Sequence, residues 1–255
     1  MDQRSFDLFL EVHRGLPRQA PGSRSSTQRA LELAGALPAC PKVLDLGCGP
    51  GAQSLDLARE TGGVVTCVDN LGPFLGELAV RAAGAGLAER IEPVLGDMAA
   101  LPDSVAPGSY DLVWSEGAIY NMGFDAGLSA WKRYLAPGGV LAVSDLCWLV
   151  DEESIPEPAR AFWTENYPAM RTALANRDAM EAAGFEVLGD FTLPPEDWWA
   201  NYYTPLLENL AGFEAKYAGD EAARAVAAAE RAEIELFREH GEAYGYVFYV
   251  GRLPR

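Results

Sequence analysis

The residues best suited to chemistry begin in one run, KVLDLGCGPGAQSLDL, from Lys42 to Leu57. Asp45 puts a carboxylate two residues before Gly47, and Gly49 and Gly51 follow at once. Glycines let the backbone pass close to a ligand, and a helix that starts at Ala52 would offer unpaired N–H groups to negative charge. Gln53 lies in its first turn. Asp69 stands about 20 residues beyond the glycine turn, where an acid can accept both hydroxyls of a ribose. Asn70 is its neighbour. Further along, Asp97 with Met98, then Ser115, Glu116 and Tyr120, each follow the end of an apolar run.

Those apolar runs are the elements that must position these side chains. Lys42–Leu46, Gly63–Asn70, Ile91–Asp97, Tyr110–Gly117 and VLAVSDLCW (140–148) read as buried parallel strands. Helical spacing separates them: Ala52–Glu60 ending at Gly62, a helix with Phe74, Leu75, Leu78 and Ala82 on one face, and a helix capped by Asp125 with Leu128, Trp131 and Leu135 inward. Five β–α alternations predict a doubly wound parallel sheet. Ligands of such sheets sit outside the carboxyl ends of the strands. Ser115, Glu116, Gly117 and Tyr120 are therefore expected to face the reacting atom.

Two cofactor readings fit the glycine turn. Gly47, Gly49 and Ala52 satisfy the dinucleotide pattern G-x-G-x-x-G/A, which leaves NAD open. The longer string VLDLGCGPG resembles the first motif of class I S-adenosylmethionine (SAM)-dependent methyltransferases. Asp45 decides between them, because a carboxylate so close would repel a pyrophosphate. LAPGGVLAVSD resembles the same family, as does the whole of 42–145. APGSRSST, WSEGAIYNMGF and AYGYVFYV extend the likeness to a small-molecule, type 11/25-like subgroup of bacterial enzymes. The resemblance implies an α/β Rossmann-like sheet, mostly parallel with the last strand antiparallel. It further implies that Asp45 helps hold the ammonium of the methionine moiety, that Asp97 accepts the adenine amino group, and that Met98 packs on the ring. Asp45, Gly47, Gly49, Gly51, Gln53, Asp69, Asn70, Asp97, Met98 and Ser115 are the expected cofactor residues.

Outside this core the chain adds helices. Residues 1–40 contain a short amphipathic helix at Phe6–Val12, an Arg/Pro/Gly/Ser-rich stretch, and a helix near Ser26 with Ser25 and Gln28 as a capping box. In small-molecule methyltransferases a leading segment often folds over the cofactor cleft, so His13, Arg18, Gln19 and Ser23 are candidates to face it. About fifty residues separate the sixth strand, Phe185–Leu193, from the last, Tyr244–Leu253. Segments 149–183 and 194–243 are too aromatic for disorder and are expected to form a helical cap on one domain spanning 1–255. Trp148, Trp163, Trp198 and Tyr202, with Tyr120 and Asn121, are the expected substrate contacts. Only one of the adjacent Trp198 and Trp199 can face the cleft on a helix.

Composition narrows the function. A net charge of −17 argues against wrapping nucleic acid or lying on an anionic membrane. The start, MDQRSFDLFLEV, lacks a secretory pattern, and no apolar run is long enough for a bilayer span, which predicts a cytoplasmic protein. Cys40, Cys48, Cys67 and Cys147 show no Cys-x-x-Cys pairing and are expected to be reduced packing residues, with no metal site. The expected activity is methyl transfer from SAM to a nitrogen, sulfur or oxygen of a small molecule, in a monomer or homodimer. Glu116 is the first candidate base and His13 the second, with Tyr120 orienting the acceptor. The alternatives are a SAM-binding sensor or subunit without catalysis and an NAD-dependent oxidoreductase.

Overall fold

The apolar runs form the strands that their composition predicts, each somewhat shorter or longer at its ends. The computed structural model describes residues 2–255. β1 (Lys42–Leu46), β2 (Val64–Asp69), β3 (Ile91–Leu95), β4 (Tyr110–Ser115), β5 (Leu135–Trp148), β6 (Glu186–Thr192) and β7 (Tyr244–Arg252) make one sheet in the order β3-β2-β1-β4-β5-β7-β6. The first five strands are parallel, and β7 runs antiparallel between β5 and β6. Strand order reverses between β1 and β4, the switch point at which open sheets leave a crevice.

Both faces of the sheet are covered, which is why the central strands are apolar throughout rather than alternating. Val43, Val65, Leu112, Trp114 and Phe248 serve one core, and Leu44, Leu46, Val68, Val113 and Tyr249 the other. α3 (Ala52–Thr61) and α4 (Gly72–Gly84) bury Leu55, Leu57, Leu75 and Leu78 against the first core, while α5 (Phe124–Trp131, numbered in chain order after α1 and α2 below) buries Leu128 and Trp131 in the second.

Two helix starts differ from expectation. α2 (Arg24–Ala34) is capped by Ser23, whose hydroxyl accepts from the Ser26 N–H at 3.1 Å, two residues before the expected Ser25 box. Ser23 thus serves the helix. α5 starts after Gly123 at φ +84°, so Asp125 lies inside its first turn and pairs with Arg171 instead of capping. In both cases a better-placed neighbour took the position, because capping depends on the chain's entry angle as much as on residue type.

The remaining helices follow β5 and β6, and one of them, at Ala173–Ala182, covers the sheet's second face with Met180 in that core. α6 (Glu157–Asn166) and α7 (Ala173–Ala182) follow β5. Between β6 and β7 come α8 (Pro195–Trp198), a π-helical turn at Trp199–Tyr203, α9 (Thr204–Lys216) and α10 (Glu221–His240). α1 (Gln3–Val12) joins this group: Asn209 Nδ2 donates to the Val12 carbonyl at 2.7 Å, and Tyr217 donates to Glu11 at 2.8 Å. No helix among the described residues is long and apolar enough to cross a membrane. The four cysteines are free thiols; Cys48, Cys67 and Cys147 are buried and Cys40 is exposed.

Candidate active site

The glycine turn is fixed by its own backbone. Gly47 N–H and Cys48 N–H both donate to the Val68 carbonyl, at 2.9 and 3.1 Å. Gly49 N–H donates to Asp69 Oδ2 at 2.8 Å, and Leu71 N–H to Asp69 Oδ1 at 2.8 Å. Asp69 therefore ties the turn after β1 to the exit of β2, and each oxygen keeps lone pairs for a further donor. Gly47 has φ +72°, and a Cβ there would stand 2.5 Å from Ala118 Cβ. Gly51, at φ +81°, gives way to the Leu78 side chain. Only glycine meets both demands at these positions.

A strap from the N-terminal segment covers the turn. Arg18 is 7% exposed and is clasped by Glu116 Oε1 at 2.6 Å and Asp56 Oδ2 at 3.1 Å. Trp114 Nε1 donates to the other Glu116 oxygen at 3.3 Å. Gln19 lies over Gly49, and Ala20 over Gly117. About 60 Å³ remains between strap and turn, lined by Arg18, Gln19, Gly47, Gly49, Gln53 and Glu116 among others.

Beyond the strap lies a second cavity of about 240 Å³. Gln19, Ala20, Pro21 and Gly117 line both spaces, so one short stretch of chain and one glycine form the wall between them. Aromatic rings make most of the remaining surface: Trp163, Tyr167, Trp198, Tyr202 and Tyr246, with Tyr120 at the exposed mouth. Trp198 stacks on Phe237 at 4.1 Å and 18°. The charged residues lining this cavity are Glu230 and Glu233 of α10.

The sequence-expected residues divide clearly. Gly47, Gly49, Gln53 and Glu116 line the small space, and Tyr120, Trp163, Trp198 and Tyr202 the larger one. Met98 Sδ lies near Gly47, while Asp97 is exposed and accepts from Ala99 N–H at 2.8 Å. Asn70 is exposed beside Asp69. Trp148 packs edge-on against Tyr244, outside both linings, and Asn121 Nδ2 turns back to the Ala118 carbonyl at 3.0 Å. Ser115 corrects an expectation: its hydroxyl donates to the Leu46 carbonyl at 2.9 Å and it is fully buried, because alternation along β4 turns it into the sheet's other face.

His13 is also placed differently. It is 1% exposed and lies behind Tyr202 rather than in the cavity wall. Its Nδ1 donates to the Phe9 carbonyl at 2.9 Å, which leaves Nε2 to accept from the Tyr202 hydroxyl at 3.4 Å. Burial holds its pKa below the usual histidine value. Of the tryptophan pair, Trp198 faces the cavity, and Trp199 lies under Arg238 at 5.3 Å.

Two groups of polar residues escaped the sequence reading. Asp145 at the β5 end is buried, accepts from Tyr167 at 3.1 Å and Asn176 at 2.8 Å, and is pushed up to about 6 by burial. Glu230 and Glu233 form the second group. A signal for Glu230 was present: Ala223, Val226, Ala227, Glu230, Ile234 and Phe237 recur at helical spacing, so this glutamate occupies an apolar stripe.

Asp45 supplies the test of fit for the cofactor. It is fully buried, Ser54 donates to its Oδ2 at 2.5 Å, and its Oδ1 has no partner. Burial pushes its carboxyl up to about 7, opposed by Ser54. A buried acceptor without a partner, behind a turn whose N–H groups are already used, matches a ligand bearing a positive amino end. It does not match a pyrophosphate, which the same carboxylate would repel. Asp69 and the turn fit a ribose. The residues present therefore fit SAM.

Comparison with known proteins agrees with this geometry. Residues 43–139 match a family model described as a methyltransferase domain. A sterol 24-C-methyltransferase from Eremothecium gossypii is 30% identical over 174 residues, 64% of this chain and 45% of that protein. A malonyl-[acyl-carrier protein] O-methyltransferase from Enterobacter lignolyticus is 31% identical over 153 residues, 60% of this chain and 56% of that protein. The chain thus spans about half the length of the curated relatives it matches. A SAM-dependent methyltransferase from Thiobacillus denitrificans, solved with S-adenosylhomocysteine, has the same fold, with TM-score 0.80 at 22% identity over 100% of both chains.

Proposed function

We propose, for a chain whose residues 43–139 belong to the methyltransferase-domain family, that it transfers the methyl group of SAM to a small-molecule nucleophile and releases S-adenosylhomocysteine (SAH). The observation that carries this reading is the partnerless, buried Asp45 oxygen behind a glycine turn tied to Asp69. When bound, SAM supplies an electrophilic methyl on a sulfonium. Asp45, Gly47, Gly49, Gln53 and Asp69 hold it, with Asp97 and Met98 toward the base.

The chain's own work is positioning and exclusion of water. Aligning nucleophile and methyl in line contributes on the order of 7–11 kcal/mol in good model systems. The strap, anchored by Arg18 on Glu116 and Asp56, closes over the turn, and Gly117 with Ala20 forms the thin wall toward the aromatic cavity. The acceptor nucleophile enters from that cavity. Glu116 is committed to Arg18 and acts as the strap's anchor. Proton removal falls to the carboxylates that line the acceptor's own cavity, Glu230 and Glu233.

The protein works in the cytoplasm as a monomer or homodimer, without nucleic acid or membrane partners, in keeping with its net charge of −17. Turnover tests the reading against a binding-only role. Purified protein given SAM and a panel of small amines, thiols and phenols should release SAH with at least one of them. SAH binding without turnover on any nucleophile class would leave only the sensor or subunit.

A further inference from the structure

The cavity beyond the strap combines aromatic walls with two carboxylates and holds no counter-charge of its own. Glu230 is 9% exposed and accepts no hydrogen bond. Its nearest basic neighbour is His13 Nε2 at 3.8 Å, on α1. Burial lowers the pKa of that ring, which disfavours its charged form. Glu233, one turn further along α10, accepts from the Tyr203 hydroxyl at 3.0 Å. Among the described residues, no arginine or lysine forms an ion pair with either carboxylate. Burial pushes Glu230 up to about 8, and the charge of Glu233 adds to it.

A desolvated pair of acids without a cation lowers its cost by keeping a proton, and an entering cation lets both ionise. The faces of Trp163, Tyr202 and Tyr246 attract a cation as well as an apolar body. A carboxylate or phosphate ligand would meet two acids and no basic side chain. A neutral phenol or thiol would leave the proton in place and gain no ion pair.

We propose that the cavity selects a small cationic amine, with its ammonium held by Glu230 and Glu233 against the aromatic faces. This deepens the methyltransferase reading and rests on it for the claim that the amine is the methyl acceptor. In that role the ammonium gives a proton to a glutamate carboxylate. The freed nitrogen lone pair then forms the new N–C bond as the S–C bond breaks, and its electrons stay on sulfur to give the neutral thioether.

The test uses matched probes of nearly equal shape, cyclohexylammonium and cyclohexanol, titrated calorimetrically at neutral pH with and without SAH. The ammonium should bind at least about tenfold more tightly than the alcohol. Glu230→Gln and Glu233→Gln should each bring the ratio toward one while SAH affinity is unchanged. Because the probe ratio is read on the unmodified protein, it stands even where a variant fails to fold. Equal affinities, or no binding of either probe at millimolar concentration, would overturn the proposal. Loss of SAH binding with the ammonium preference intact would instead remove the methyltransferase reading and leave the cation pocket.

Discussion

Replacing Arg18 by methionine tests how the cofactor site is closed. The substitution keeps most of the apolar stem and removes the guanidinium. It strands Glu116, 3% exposed in its side chain and held by Arg18 at 2.6 Å, while Asp56, held at 3.1 Å, keeps Arg59 at 3.2 Å. Removing one partner from a buried ion pair costs about 3–5 kcal/mol, because the remaining charge stays desolvated. Burial already raises the Glu116 pKa against the pull of Arg18, so protonation after the substitution would return part of that cost. A net loss of about 3 kcal/mol remains, equivalent to a Tm fall of roughly 6–12 °C for a chain of this size. The double variant Arg18→Met/Glu116→Gln should recover part of the loss, since the charge then left opposite the methionine is Asp56, which keeps Arg59. Thermal melts of the two single variants and the double variant form a cycle, and SAH titration of each reads closure over the turn. Additive losses within about 0.5 kcal/mol, with SAH affinity unchanged in all variants, would refute the role given to this pair.

Other perturbations follow from the same geometry. Asp69→Ala removes the acceptor of the Gly49 and Leu71 N–H groups as well as the expected ribose contact; SAH affinity should fall at least about tenfold by calorimetry, and an unchanged value would displace the ribose from this acid. Gly117→Ala places a methyl 2.6 Å from Ala20 Cβ at φ +65°, so it should push the strap outward and weaken SAH binding with a Tm loss of about 1–3 kcal/mol equivalent. Glu230, raised to about 8 from an ordinary 4.5, binds its proton more tightly when folded. Its contribution is complete below about pH 4.5 and is lost as pH rises through about 8, up to an upper limit on the order of 5 kcal/mol. Asp45 and Asp145, also raised, act in the same direction. A Tm series over this range should therefore decline in the unliganded protein and decline less in Glu230→Gln; parallel curves would remove Glu230 from the account.

The parallel strands were legible because burial on both faces leaves little in them except apolar residues, and the glycine turn because nothing else permits its backbone. The cap was legible as a composition, through its tryptophans and tyrosines, but its placement was not. Arg18 meets Glu116 across 98 positions of sequence, and no periodicity reports a contact of that range. That pairing is why a carboxylate at a strand exit reads as a free base in sequence and is an anchored ion in the structure. Ser115 illustrates a subtler loss, since its neighbour faces the site and strand alternation sends the serine away from it. Glu230 is the reverse case: the helical stripe marks it, and the stripe alone does not report that this face of α10 meets a cavity.

The central claim is that the turn from Gly47 to Gly51 holds a sulfonium nucleoside with an amino end, and parallel calorimetric titration with SAM, SAH and NAD tests it most directly. Binding of SAM and SAH without binding of NAD is the predicted result. Binding of NAD, or of none of the three, would contradict the assignment of Asp45 and with it the account of the site.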